Sequence, residues 1–171
     1  MWLGGGTGAL GAHVARWLAR NGAEHLLLVS RRGPDAPGAA ELAVEITELG
    51  ATVSVATCDV TDRPAVQKLL VRVHPCHPLT AVFHTGGSAG RRDHRVADLA
   101  RIGPVLCSKA HAAAVLHELT AHQELSAIVL FYLVRRHPGE RRTSQLRRRQ
   151  CLPRRSAQQR RADGLAATSI E

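Results

Sequence analysis

The sequence predicts an α/β fold, a doubly wound parallel sheet with helices on both faces and a truncated first strand. Three observations predict it. Short aliphatic runs alternate with segments of helical periodicity along most of the 171 residues. A glycine-rich stretch opens the first helical segment. Apolar residues make up an ordinary 44% of the chain but aromatics only 3%, so Ala, Val, Leu and Ile must build the core. A single domain over residues 1–171 is expected, since the length allows one sizeable core and not two.

Met1-Trp2-Leu3 is all that precedes the glycines, where a central strand would normally use several more aliphatic residues. Each buried aliphatic forgone costs about 1.5–3 kcal/mol against a total stability of about 5–15 kcal/mol, so marginal stability is expected. Residues 25–30, 51–57, 79–85 and 125–131 are short apolar runs that suit strands buried on both faces of a parallel sheet. Between them, Ala9–Asn21, Ala39–Leu49, Arg63–Val73 and Pro104–Thr120 space their apolar residues three and four apart. Asp62 before Arg63-Pro64 reads as an N-cap with proline in the first turn. Leu165 to Ile170 reads as a last strand, with its C-terminal end at a binding crevice. Helices alternating with strands in this way imply the doubly wound sheet.

The formal charge of +9 is a local feature. Acids and bases mix up to about residue 130, whereas Arg135 to Arg161 is crowded with arginine and holds one acid, Glu140. A nucleic-acid-binding segment is the rival explanation, but the stretch lacks interleaved aromatics and a recognisable binding fold. No apolar run approaches the roughly 20 residues that span a bilayer, and no secretory leader is evident. A cytoplasmic protein without a membrane partner is therefore expected. Cys58, Cys76, Cys107 and Cys151 are scattered without metal or disulfide spacing, and read as reduced and structural.

Gly4-Gly5-Gly6-Thr7-Gly8-Ala9-Leu10-Gly11 has the economy of a dinucleotide turn, punctuated by Gly5, Gly8 and Gly11. Glycine permits a tight turn, close approach to a pyrophosphate and close helix packing, while the helix N-terminus supplies amides and a positive dipole. A flexible leader would look the same in isolation, so context decides. Roughly twenty residues on, where a coenzyme lacking the 2′-phosphate usually meets an acid, the second strand ends Ser30-Arg31-Arg32. A guanidinium fork there suits a 2′-phosphate and selects NADPH; a solvated basic loop is the plainer alternative. The third strand ends Cys58-Asp59-Val60, placing an acid where an adenine amino group could donate to it.

Together these pieces resemble the ketoreductase domains of modular polyketide synthases, a branch of the short-chain dehydrogenase/reductase superfamily with a Rossmann-like sheet. The resemblance is carried by GGTGALGAHVARWLARNGAEHLLLVSRRGP, CDVTD, HPLTAVFHT, KAHAAAVLHELT, LSAIVLF and RRADGLAATSI. It implies an NADPH-dependent reduction of a β-ketoacyl group tethered to an acyl carrier protein, among neighbouring synthase domains, with 4-pro-S-side hydride chemistry. It also implies a cofactor site drawn from Gly5, Gly6, Thr7, Gly8, Ala9, Leu10, Gly11, Ser30, Arg31, Arg32, Cys58, Asp59, Val60, Thr85, Gly86 and Gly87.

In that family a tyrosine donates the proton, a serine hydroxyl bonds the carbonyl, a lysine lowers the tyrosine pKa from its usual value of about 10, and an asparagine completes the relay. Lys109 matches the lysine; an exposed helix lysine is its plainer reading. The family spacing then puts serine, tyrosine and asparagine at positions that here hold Leu133, Leu146 and Gln150. Leucine has no proton to give and no hydroxyl to polarise a carbonyl. Tyr132, the only tyrosine, sits beside the serine position at a strand end and is a poor substitute. Turnover is therefore expected to be impaired or absent. The alternatives are a non-catalytic NADPH-binding or structural module, and an active reductase that uses unfamiliar residues.

The distance from Phe131 to Ala157 equals the family spacing, so composition has changed without insertion or loss. In a GC-rich gene, codons for residues 141–156 can be chosen so that a neighbouring frame reads Ala-Gly-Gln-Ala-Asn-Tyr-Ala-Ala-Gly-Asn-Ala-Tyr-Leu-Asp-Ala-Leu, which contains the expected tyrosine and asparagine. Residues 88–95 can likewise hide Leu-Asp-Asp-Ala-Thr-Ile-Ala, whose Leu-Asp-Asp motif guides B-type stereochemistry in the family. Two compensated frame slips are the expected origin of both stretches. They also account for the arginine excess, and predict marginal stability or disorder at 132–156, since unpaired buried charge costs several kcal/mol.

Overall fold

A computed structural model describes residues 1–73, 77–86, 99–131, 157–158 and 160–170, with the side chains of 99–109 and of residue 169 excepted. The elements are β1 (Trp2–Gly4), α1 (Ala9–Arg20), β2 (His25–Ser30), a 3₁₀ turn (Gly33–Asp35), α2 (Ala39–Glu48), β3 (Thr52–Thr57), α3 (Arg63–Val71), β4 (Ala81–His84), α4 (Leu99–Thr120), β5 (Ala127–Phe131) and β6 (Thr168–Ile170). They form one six-stranded sheet in the order β3-β2-β1-β4-β5-β6, parallel at every pairing. The chain winds outward on one side from β1 and then on the other from β4. The crevice beyond the C-terminal ends of β1 and β4 is thus the topological switch point, where sheets of this kind bind ligands.

β1 is short yet central. Leu3 lies in register between Leu28 of β2 and Phe83 of β4, and Trp2 and Leu3 are fully buried. Alternation along β2 divides the core in two. Leu26 and Leu28 face the layer of α1 and α2 with Leu3, Val14, Leu18, Leu42 and Ile46. Val29 faces the opposite layer with Trp2, Val66, Leu116, Ile128 and Leu130. A strand with apolar residues on both faces reads as a continuous hydrophobic run because it serves both layers.

β4, β5 and β6 are shorter than the apolar runs at 79–85, 125–131 and 165–170, and two further features depart from the periodicity. α4 starts at Leu99, five residues ahead of Pro104, so the proline stands in the second turn, where it forgoes a backbone hydrogen bond, and not in the first, where it would forgo none. The 3₁₀ turn after β2 has no apolar period of its own; it depends on a left-handed Gly33, φ 52°, packed against Thr57.

The N-cap at Asp62 forms, its carboxylate accepting from Ala65 N at 3.1 Å. Asp62→Ala is expected to lower stability by about 1 kcal/mol, read as a shift in the urea midpoint.

His25 gives the fold a pH dependence. Its ring stacks on His77, with centroids 5.1 Å apart, and burial, then the charges of His77 and of the chain terminus, hold its pKa below the ordinary histidine value. The folded state then binds fewer protons than the unfolded state, whose histidines titrate at about 6.5. Stability therefore rises with pH through the window between the folded and unfolded values, and is lost as pH falls below about 6.5. Urea midpoints measured on either side of that window should show the slope, and His25→Gln should flatten it.

Candidate nucleotide-binding site

β1 runs directly into the glycine turn. Gly5 N and Gly6 N both donate to Val29 O, at 2.7 and 3.2 Å, which ties the turn to the end of β2. Gly8 N donates to Gly5 O at 3.0 Å, and the first helical bond runs from Ala12 N to Gly8 O at 2.7 Å. The amides of Ala9, Leu10 and Gly11 accordingly have no acceptor within α1. Gly8 contributes no capping side chain, and the first turn contains no acid. The positive end of the helix is left open to an anion.

Two of the glycines are required by contact. Gly5 has φ 76°, and a Cβ there would lie 2.8 Å from Gly86 N. A Cβ on Gly11 would strike Gly5 O and come within 2.7 Å of Gly6 Cα, so only glycine lets the helix close onto the turn. The end of β4 presses on the same turn. Thr85 N donates to Gly4 O at 2.8 Å, and Thr85 Oγ1 lies 3.0 Å from Gly4 O and 3.3 Å from Gly5 O as a shared donor.

At the end of β2, Ser30 Oγ accepts from Gly33 N at 2.9 Å, holding the loop that carries Arg31 and Arg32. Both arginines are exposed, and neither joins a salt bridge among the described residues. Beyond β3, Cys58 N donates to Ser30 O at 2.9 Å. The Cys58 thiol is free and buried; burial, then Asp62 and Asp59, push its pKa up, which disfavours the reactive thiolate. Val60 is buried beside it. Asp59 is exposed, and its Oδ1 accepts from Thr61 N at 2.9 Å and from Thr61 Oγ1 at 2.8 Å. Those two bonds hold the carboxyl below its ordinary value despite some burial, with help from the nearby charge of Arg31.

The strand order therefore gathers Gly5, Gly6, Thr7, Gly8, Ala9, Leu10, Gly11, Ser30, Arg31, Arg32, Cys58, Asp59, Val60, Thr85 and Gly86 along one edge of the sheet. Lys109 lies on α4, one turn before the buried Ala112 and Ala113, and its side chain is outside the described residues. Gly87, residues 88–95, Tyr132, Leu133, Leu146 and Gln150 also lie outside them, as do Cys76 and Cys151. Thr61 was not singled out from the sequence. A threonine two residues after an aspartate is the local signal for such a turn.

A parallel sheet with an open glycine turn at its switch point defines a Rossmann-like, doubly wound α/β domain. The whole chain, residues 1–171, matches the KR domain family. It is 49% identical over 127 residues to the pikromycin polyketide synthase component PikAIII of Streptomyces venezuelae, covering 74% of this chain and 8% of that protein. It is 49% identical over 130 residues to mycoketide-CoA synthase of Mycobacterium tuberculosis, covering 74% of this chain and 3% of that protein. Among solved structures, an A1-type ketoreductase superposes with a TM-score of 0.80 at 41% identity, covering 98% of this chain and 36% of that one. The chain thus spans a small fraction of the multidomain synthases it matches. It belongs to the ketoreductase domains of modular polyketide synthases, within the short-chain dehydrogenase/reductase superfamily. No helix among the described residues is long and apolar enough to cross a membrane.

Proposed function

We propose that this chain is the NADPH-binding part of a cytoplasmic polyketide synthase ketoreductase that binds coenzyme without turning over substrate. The observation that carries the reading is the open helix terminus at Ala9–Gly11, with no acid in its first turn, beside the exposed Arg31 and Arg32 on the adjoining strand end. The fit to a dinucleotide is specific at Gly11, where any side chain would fill the approach of helix to turn.

In this reading the backbone amides of Ala9, Leu10 and Gly11 hold the pyrophosphate, and Arg31 and Arg32, steadied by Ser30, hold the 2′-phosphate. Asp59, with Cys58 and Val60, borders the adenine, while Thr85 to Gly87 border the nicotinamide side. Bound there, NADPH would supply the hydride for reduction of a β-ketoacyl group carried by an acyl carrier protein in the parent synthase. Lys109 keeps the position from which a lysine tunes a proton donor, but Leu133 and Leu146 offer no hydroxyl to tune.

Titration of the purified chain with NADPH and NADH tests the binding half. A charge-assisted hydrogen bond contributes about 1.5–3 kcal/mol, so NADPH should bind at least about tenfold more tightly than NADH. Replacing Arg31 and Arg32 together by alanine should erase the preference. Equal affinity of the unaltered chain for both coenzymes would overturn the reading.

A further inference from the structure

The layer of α3 and α4 leaves a hollow of about 260 Å³ at the N-terminal end of the sheet, opposite the glycine turn. Its floor is apolar, built from Leu27 of β2, Leu69 near the end of α3, Val73 just beyond it and Leu79 ahead of β4. All four are half-buried, and Leu27, Leu69 and Leu79 also pack on the core. Hydrocarbon surface gathered in one concave place favours a ligand that covers it. The rim is polar and carries positive charge without an acid. Met1, His25, Ser54, Arg72 and His77 form it, and no aspartate or glutamate lines the hollow among the described residues. Arg72 and His77 are exposed, and neither joins a salt bridge among the described residues.

His25 shows which atoms are free to bind. Its Nδ1 is buried without a hydrogen-bond partner among the described residues. A proton there would be left unpaired, so the neutral ring carries its proton on Nε2 and donates to Ser54 Oγ at 3.3 Å. The Ser54 hydroxyl thereby keeps its own proton for a ligand. Burial, then His77 and the chain terminus, disfavour the charged form of His25, and an anion at the rim would oppose those charges. A metal cation beside Arg72 would add to them.

We propose that this hollow is a second ligand site, separate from the nucleotide edge, that takes a short aliphatic carboxylate. The carboxylate meets Arg72, His77 and the Ser54 hydroxyl, while the hydrocarbon covers Leu27, Leu69, Val73 and Leu79. The volume lies below the about 300–1,000 Å³ of sites that take drug-sized molecules, so the chain of the acid is short. The exposed charges are screened by water; they orient the ligand, and the apolar floor supplies most of the affinity.

Titration of the full chain with hexanoate, followed through the ring protons of His25 and His77 by NMR, tests the site. Hexanoate should bind saturably. Acetate, which lacks the hydrocarbon, should bind at least about tenfold more weakly, and hexanol, which lacks the charge, at least about threefold more weakly. Arg72→Gln combined with His77→Gln should weaken hexanoate at least about threefold and leave NADPH affinity unchanged, since both residues lie at the far end of the sheet from the glycine turn. In the unaltered chain, bound hexanoate should raise the pH at which His25 titrates, a readout that needs no variant. Acetate or inorganic phosphate binding as tightly as hexanoate would show that the apolar floor takes no part, and would overturn the proposal. Competition between hexanoate and saturating NADPH would place the carboxylate at the glycine turn and overturn it equally, as would zinc moving both histidine signals where hexanoate moves neither. The site does not depend on the nucleotide reading, so a chain that binds no NADPH still supports it if hexanoate outbinds acetate and shifts His25.

Discussion

Gly11→Ala is expected to lower stability by about 1–3 kcal/mol, the range for forcing extra carbon into a packed interior, and to weaken NADPH binding at least about tenfold. The added methyl would meet Gly5 O and the backbone of Gly6. Neither neighbour is the tip of a flexible side chain, so relief requires the helix to retreat or the turn to open. The turn is poorly able to yield: Val29 O holds Gly5 N and Gly6 N from one side, and Thr85 holds the Gly4 and Gly5 carbonyls from the other. Retreat of the helix carries its free amides away from the phosphate position, so stability and affinity fall together. Asp62→Ala provides the contrast, because it loosens α3 at a similar energetic cost while leaving the amides at residues 9–11 in place. Urea midpoints and NADPH titration on both variants check the argument. An unchanged affinity in Gly11→Ala would mean that the helix terminus does not bind the coenzyme.

The fold was legible where both faces of an element are buried. β2 must satisfy two helix layers at once, so the sequence at His25–Ser30 is nearly all aliphatic and admits few other readings. The Asp62 cap was equally local, since its partner Ala65 is three residues away. The start of α4 was not legible, because Pro104 reads locally as a first-turn residue, and the helix begins at Leu99 and runs through it. The glycine turn could be named from its spacing, but not the contacts that make it rigid. Thr85 and Gly4 are 81 residues apart, and no local pattern joins them. Gly33 and Thr57 meet across neighbouring strand ends for the same reason. Thr61 stands between these cases: its bonds to Asp59 are local, yet their value depends on where β3 ends relative to the nucleotide turn.

Ketone reduction by this chain is expected to run at least about 10³-fold below that of a chain in which Leu133→Ser is combined with the alternative-frame string at 141–156. General acid catalysis contributes about 10²–10⁴-fold, and the serine hydroxyl adds stabilisation of the carbonyl oxygen that Leu133 does not provide. The alternative string places tyrosine at position 146 and asparagine at position 150 without changing the length, so the distance from Lys109 is kept. It also removes the arginines of 141–156, which relieves the charge that a packed catalytic helix would have to bury. NADPH oxidation with a short β-ketoacyl thioester supplies the rate, and NADPH titration separates lost chemistry from lost binding. If both chains bind NADPH and only the restored one turns over, the defect lies in proton delivery. Brisk turnover by the original chain would show instead that some other group donates the proton. The coding DNA offers an independent check: codons that yield no catalytic string in any frame would reject a frame slip, while the chemical argument from Leu133 and Leu146 would stand.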